Sequence, residues 1–409
     1  MIQENKNRIE ENFNINNNNN FLSLNQNKND FNIDKFQKEL KGFPNIGQSC
    51  YMNSFLQILF RTKSFLFELK KFDLSDLKEK NKILIKSLIQ LSEEPNNIFM
   101  LRKIKEIMSE EDKSFGIDTQ NDSQEFGISL INKIINLLKN ESVFNDDDEI
   151  YETNNEGIDI FHIKKIKLKL FNEYIEKYHN IKKEIFLEKM FQFHESKVKY
   201  DKEGFKQSLI KNIDFETFLS FELTFPPTNK KKKEYNLYDL FDYKYSNFPD
   251  FENEIEDISK KGFFQSLNSL NDLWNYIVKK FFSQENKEQN NYNNIKEFCV
   301  RKIASLPIIL NISINRAFTG KSLVSNKLQY EEEINLNNYI DEIIKEDNNT
   351  YKLYAVNECF GLTKHSGHYY SYVKVNNTWL KFDDRHVSEE TPNFNSKYVV
   401  GLYYIKNNF

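Results

Sequence analysis

Gly42-Phe43-Pro44-Asn45-Ile46-Gly47-Gln48-Ser49-Cys50-Tyr51-Met52-Asn53-Ser54-Phe55-Leu56-Gln57-Ile58-Leu59-Phe60 runs from a turn into a helix, with a single thiol at the junction. After Cys50 the apolar side chains fall at Met52, Phe55, Leu56, Leu59 and Phe60, the i, i+3, i+4, i+7, i+8 stripe of a helix docked by one face. Gly42, Pro44 and Gly47 supply turn chemistry ahead of it. Cys50 therefore opens the helix, where unpaired N–H groups favour negative charge and lower a thiol's pKa. A free cysteine is more often a small buried apolar side chain than a nucleophile, so its partners decide the reading.

Those partners stand far along the chain. Aromatic and β-branched residues dominate Tyr369 to Val375 and recur from Trp379 to Phe382, with Asn376-Asn377 between them as a hairpin turn. His368 opens the first of these strands and Asp383 closes the second, so an antiparallel pair brings both to the same end. A carboxylate there holds an imidazole tautomer while the other ring nitrogen takes a thiol proton.

The Cys50 box, the segment Gln120-Asn121-Asp122-Ser123-Gln124-Glu125-Phe126 and the Gly367-His368-Tyr369 to Asp383-Asp384 box resemble, in order and separation, the ubiquitin-specific protease family of deubiquitinating cysteine proteases. The resemblance runs from about Lys41 to Ile405. It includes weaker echoes at Ile303 to Ile314 with Leu306-Pro307 and Arg316, and at Tyr398 to Ile405. It implies an α+β, papain-like cysteine protease fold with a helical thumb, a β-rich palm and extended β fingers. It implies Cys50 as nucleophile, His368 as general base and acid, Asp383 as orienting carboxylate, Asn45 as oxyanion donor and Asp384 as an assistant. Gln120, Asp122 and Glu125 match the box beside the channel for the ubiquitin tail. The implied reaction is hydrolysis of the bond after the C-terminal glycine of ubiquitin through a thioester, with ubiquitin and ubiquitinated proteins as partners. The competing readings are a catalytically weak or silent ubiquitin-binding scaffold and a protease for another Gly-Gly-ended modifier.

The chain departs from the family pattern at several positions. Gln48-Ser49 stands where Asn-Thr or Ala-Thr is usual, Cys359 where histidine is common, and Ala317 where Phe follows Arg316. A tetrahedral thiolate zinc site needs paired cysteines at short spacing, whereas this chain has only Cys50, Cys299 and Cys359. No zinc ribbon is expected in the fingers, and no metal or other cofactor; the many Phe and Tyr between Phe186 and Phe225 are expected to hold them by packing.

Composition narrows the partners. With 57 basic and 61 acidic side chains among 409 residues, the net charge of -4 gives no global field for nucleic acid. Three unspaced cysteines suit a reducing compartment. Neither a signal peptide nor a membrane span is legible, so cytosol or nucleus is expected.

Organisation along the chain is uneven. Residues 1–38 are Asn-rich, with an unbroken run from Asn16 to Asn20, and read as a disordered tail before a catalytic domain over 39–409. The thumb is expected over about 42–140, with helices at Lys80 to Leu91 and Phe126 to Leu138. The second helix would bury Phe126, Ile128, Leu130, Ile131, Ile134, Ile135 and Leu138. An insertion over about 141–185 carries the acidic run Asp146-Asp147-Asp148-Glu149 and the basic amphipathic stretch Ile163 to Lys183, both read as solvated. Fingers and palm follow over about 186–409: a strand from Phe218 to Phe225, a loop at Lys230 to Lys233, and helices at Asn236 to Phe241 and Phe263 to Phe282.

Overall fold

The structure is a computed structural model describing residues 41–409 except 76, 117, 140–157, 160–162, 180–185, 202–208, 211, 227–232, 246–296, 317–324, 345–348, 364–365 and 408–409. The tail over 1–38, the acidic run, most of the lysine loop and the helix expected at Phe263 to Phe282 lie outside these residues.

Five helices lead the described chain: α1 (Cys50–Arg61), α2 (Lys63–Lys71), α3 (Glu79–Glu93), α4 (Ile98–Glu111) and α5 (Ser123–Lys139). The helices around α1 follow their apolar period, with Leu84, Leu88 and Leu91 buried on α3 and Leu101, Ile104 and Met108 on α4. Start signals are local. The Asn97 side chain accepts the Met100 N–H at 3.2 Å to cap α4, and Asp122 Oδ1 accepts the Gln124 N–H at 2.7 Å to cap α5. On α5, Phe126, Leu130, Ile131, Ile134, Ile135 and Leu138 are buried as expected, but Ile128 is only half-buried because it lies off their stripe.

The cysteine helix differs more. Every residue of α1 is buried, polar Asn53, Ser54, Gln57 and Arg61 included, so it is a central element rather than one docked by a single face. Its polar side chains find partners on both sides: Ser54 Oγ lies 3.1 Å from Ser123 Oγ on α5, and the Arg61 guanidinium stacks 3.9 Å from the Phe382 ring centroid.

The rest is mainly sheet. An antiparallel three-stranded sheet pairs Phe193–Asp201 with both Asn212–Phe218 and Glu297–Ser305. The larger sheet runs, in spatial order, His386–Glu389, Thr378–Asp383, Ser366–Val375, Thr350–Thr363, Val399–Lys406, Ile309–Asn315 and Phe221–Thr224, with Glu333–Asn335 paired to Thr350–Thr363. The strand expected from Phe218 to Phe225 is two strands: the chain bends at Leu219-Ser220 and crosses from the smaller sheet to the larger, where Phe221–Thr224 pairs in parallel with Ile309–Asn315. The bend stacks Phe193 on Phe221 with centroids 3.5 Å apart, an aromatic seam between the sheets.

Within the stretch read as a solvated insertion, Ile163–His179 is a helix whose Leu170 and Tyr174 pack on Val198, Ile213 and Phe215 of the smaller sheet. Lys167 is buried with its ammonium 2.9 Å from Asp341 Oδ2, so the expectation of a solvated run fails at that lysine. The apolar side of the helix needs a cover, and Lys167 lies on that side.

Candidate active site

The register of the larger sheet assembles half of the site. Ser371 faces Phe382 and Val375 faces Thr378 across a turn at Asn376-Asn377, whose φ values of 49° and 68° are the left-handed pair of a tight hairpin that asparagine tolerates. Beyond the Ser371–Phe382 pair, His368 and Asp383 leave the ladder at the same end, and His368 Nε2 lies 2.5 Å from Asp383 Oδ1. That contact leaves Nδ1 for the sulfur.

The other half comes from α1. Cys50 is its first residue, after Ser49, whose hydroxyl accepts the Ile46 N–H at 2.9 Å and so braces the turn. Sγ receives Gln120 Nε2 at 3.3 Å, and the same Nε2 also donates to Gly367 O at 2.8 Å, the residue before His368. Burial pushes the Cys50 thiol up. Hydrogen bonds from His368, Tyr369 N–H and Gln120, with the imidazolium charge, outweigh burial and hold it below its ordinary value. His368 is raised to about 9, first by its hydrogen bond to Cys50, against burial, and then by Asp383. A lowered thiol beside a raised imidazole favours passing the sulfur's proton to the ring, the direction a nucleophilic cysteine needs.

A second cluster surrounds Asn45. Its Oδ1 accepts the Gly47 N–H at 3.1 Å and the Ser49 N–H at 3.3 Å, while Nδ2 donates to Asp384 Oδ2 at 2.9 Å. Asp384 Oδ1 takes Asn53 Nδ2 at 2.7 Å, so this carboxylate grips the turn and α1 together. The bond to Asp384 uses one of the two Asn45 amide hydrogens. Gly42 is needed here, since a Cβ would come within 2.0 Å of Asp384 O.

The structure thus brings together Cys50, His368, Asp383, Gln120, Asn45 and Asp384. Asp122 stands one step away: one oxygen caps α5 and the other lies 3.5 Å from Tyr369 Oη. Glu125 is exposed on the first turn of α5, where its backbone N–H also donates to Asp122 Oδ1 at 3.2 Å. Among the described residues, His368, Asp383 and Asp384 bring one potential metal-ligand atom each within 4.8 Å, although each carboxylate already serves the partners above.

The family profile described as ubiquitin carboxyl-terminal hydrolase matches residues 41–404. The chain belongs to that family. Relatives named ubiquitin carboxyl-terminal hydrolase 37 from Sus scrofa and Homo sapiens are 35% and 37% identical over 109 and 98 residues, covering 24% and 22% of this chain but only 11% and 10% of theirs. The chain therefore spans about a tenth of those relatives' length. A solved SAGA Ubp8/Sgf11/Sus1/Sgf73 DUB module bound to ubiquitin aldehyde shares 16% identity with a TM-score of 0.59, over 91% of this chain and 71% of that one. A variant of the same module bound to monoubiquitin shares 14% identity with a TM-score of 0.59, over 91% of this chain and 70% of that one. At that identity the likeness shows the fold.

The departures of this ubiquitin carboxyl-terminal hydrolase family member acquire physical content. Gln48 is exposed, so its bulk meets solvent, but its φ of 44° is a left-handed conformation that a glutamine adopts at a cost. Cys359 is buried and its thiol is pushed up to about 12, chiefly by burial; a Cβ on Gly367 would lie 2.6 Å from its sulfur. The motif reading did not single out Asn53, Lys105 or the Tyr369 N–H. Lys105 did carry a signal: it sits on the buried stripe of α4 between Leu101, Ile104 and Met108, where a charge is out of place.

Proposed function

We propose that this chain is a thiol-dependent deubiquitinase. The observation that carries the reading is the convergence of His368, whose ring lies 2.5 Å from Asp383, with Cys50 at the start of α1, the thiol lowered and the imidazole raised by each other. In this reading the Cys50 thiolate attacks the carbonyl of the C-terminal glycine of ubiquitin. The oxyanion is met by the second Asn45 amide hydrogen and by N–H groups at the start of α1, donors worth roughly a hundredfold to a thousandfold in rate when well placed. His368 gives its proton to the departing lysine amine, and a thioester remains on Cys50. The neutral imidazole then takes a proton from water, the hydroxide equivalent attacks the thioester, and the proton returns to the sulfur side as the acid leaves. Asp383 keeps the ring oriented through both halves.

Support for ubiquitin as partner comes from family membership and from solved proteins of the same fold bound to ubiquitin aldehyde or monoubiquitin. Gln120, with its amide already at the sulfur, and Asp122, at the rim beside Tyr369, are proposed to receive the tail; Glu125, exposed nearby, is proposed to meet ubiquitin further out.

Ubiquitin carrying an electrophile at its C-terminal carboxyl tests the proposal. Covalent labelling lost in Cys50→Ala is expected. Tight binding without labelling would favour the scaffold reading, and preferential labelling by another Gly-Gly-ended modifier would reassign the substrate.

A further inference from the structure

Lys105 is fully buried on α4 and takes no part in the mechanism above. A lysine in such a position must spend its donors on protein acceptors. Its Nζ donates to Gly47 O at 2.6 Å and to Gln48 O at 3.2 Å, with the Tyr51 ring centroid 5.4 Å away. Those carbonyls belong to two consecutive residues with positive φ, 100° at Gly47 and 44° at Gln48. Such a pair is a turn with backbone strain at its second residue, and its peptide planes need an external hold to keep one orientation.

Geometry carries the effect across the turn. In a trans peptide the carbonyl and the following N–H point in opposite directions. Drawing the Gly47 and Gln48 carbonyls toward Lys105 therefore aims the Gln48 and Ser49 N–H groups to the far side. There the Ser49 N–H meets Asn45 Oδ1 at 3.3 Å, and Asn45 is the proposed oxyanion donor. We infer that Lys105 is a positioning residue: its ammonium clamps the Gly47–Gln48 turn from beneath and so sets the orientation of the oxyanion donors above. Burial lowers Lys105 to about 8, opposed by the charges of Cys50 and Asp118, so near neutral pH the side chain remains an ammonium with three donors.

The inference rests on the deubiquitinase reading, and the test separates the two. Turnover of ubiquitin bearing a C-terminal fluorogenic amide is measured for wild type, Lys105→Met and Lys105→Arg, and ubiquitin affinity is measured calorimetrically for the same three in a Cys50→Ala background. Met keeps the stem and deletes the donors; Arg restores donors to the same carbonyls. The expected result is a kcat for Lys105→Met reduced roughly tenfold to a hundredfold, the scale of a small misplacement of reacting groups, with unchanged affinity and substantial recovery in Lys105→Arg. Wild-type turnover in Lys105→Met overturns the inference, as does an affinity that falls in step with turnover. Should Lys105→Met fail to fold, an Arg variant that folds but stays inactive overturns it too. A wild-type chain that neither turns over nor labels retires the deubiquitinase reading instead.

Discussion

At the scale of single residues, the paired shifts on Cys50 and His368 set a pH window. The reactive pair exists above the lowered thiol pKa and below the raised imidazole pKa of about 9. Ubiquitin-amide turnover is therefore expected to rise with pH on its acid side and to fall through about 9. In Asp383→Asn the ring loses its anionic neighbour, so the alkaline limb moves to lower pH and turnover drops; an unmoved limb would contradict the assignment. The same upward shift links to stability. Its contribution is fully present below the ordinary imidazole value of 6.5 and is lost as pH rises through about 9. Gln48 gives a second prediction: Gln48→Gly removes the left-handed penalty and is expected to raise the unfolding free energy by up to about 1 kcal/mol, read by urea denaturation. Cys50, His368 and Asp383 were legible because their chemistry coincides with element boundaries that propensity reveals. Asn53 and the Tyr369 N–H were not: a buried amide and a backbone donor leave no compositional trace, and their roles exist only once α1 meets the sheet.

At the scale of elements, the meeting of α1, α5 and the sheet depends on two missing side chains. A Cβ on Gly127 would come within 2.1 Å of the Phe55 ring, and one on Gly401 within 1.9 Å of Gln124 Nε2, whose amide reaches Tyr403 Oη at 2.7 Å. Gly127→Ala and Gly401→Ala are each expected to cost about 1–3 kcal/mol in chemical denaturation, as overpacked cores do. Each is also expected to slow electrophile labelling, because α1 carries Cys50 and shifts with either neighbour. Buried polar pairs tie the same seam, with Asn357 Nδ2 on Ser123 Oγ at 2.6 Å. Helix periods predicted α3 and α5 well. On α1 the period gave the helix but not its surroundings: expected to dock by one face, it is buried all round, Asn53, Ser54, Gln57 and Arg61 included. The break at Leu219-Ser220 was equally hidden, since Phe218 and Phe221 each look like strand residues and only their assignment to different sheets separates them.

At the scale of the whole molecule, Lys41–Phe409 forms one compact unit. A chain beginning at Lys41 is expected to label with the ubiquitin electrophile at the full-length rate; a large loss would assign residues 1–40 a role in the reaction. The three cysteines stand on α1, Glu297–Ser305 and Thr350–Thr363, and the smaller sheet is held by the Phe193, Phe218 and Phe221 stack, so a chelator is expected to leave turnover and melting temperature unchanged. Within the larger sheet, Val399–Lys406 lies between Thr350–Thr363 and Ile309–Asn315, and it is the strand that joins them. During synthesis, then, Cys50 is expected to keep an ordinary thiol's reactivity while α1 alone has emerged. Under the deubiquitinase reading it is expected to gain its activating partner only late, once His368 and the sheet that carries it, completed by Val399–Lys406, have been made.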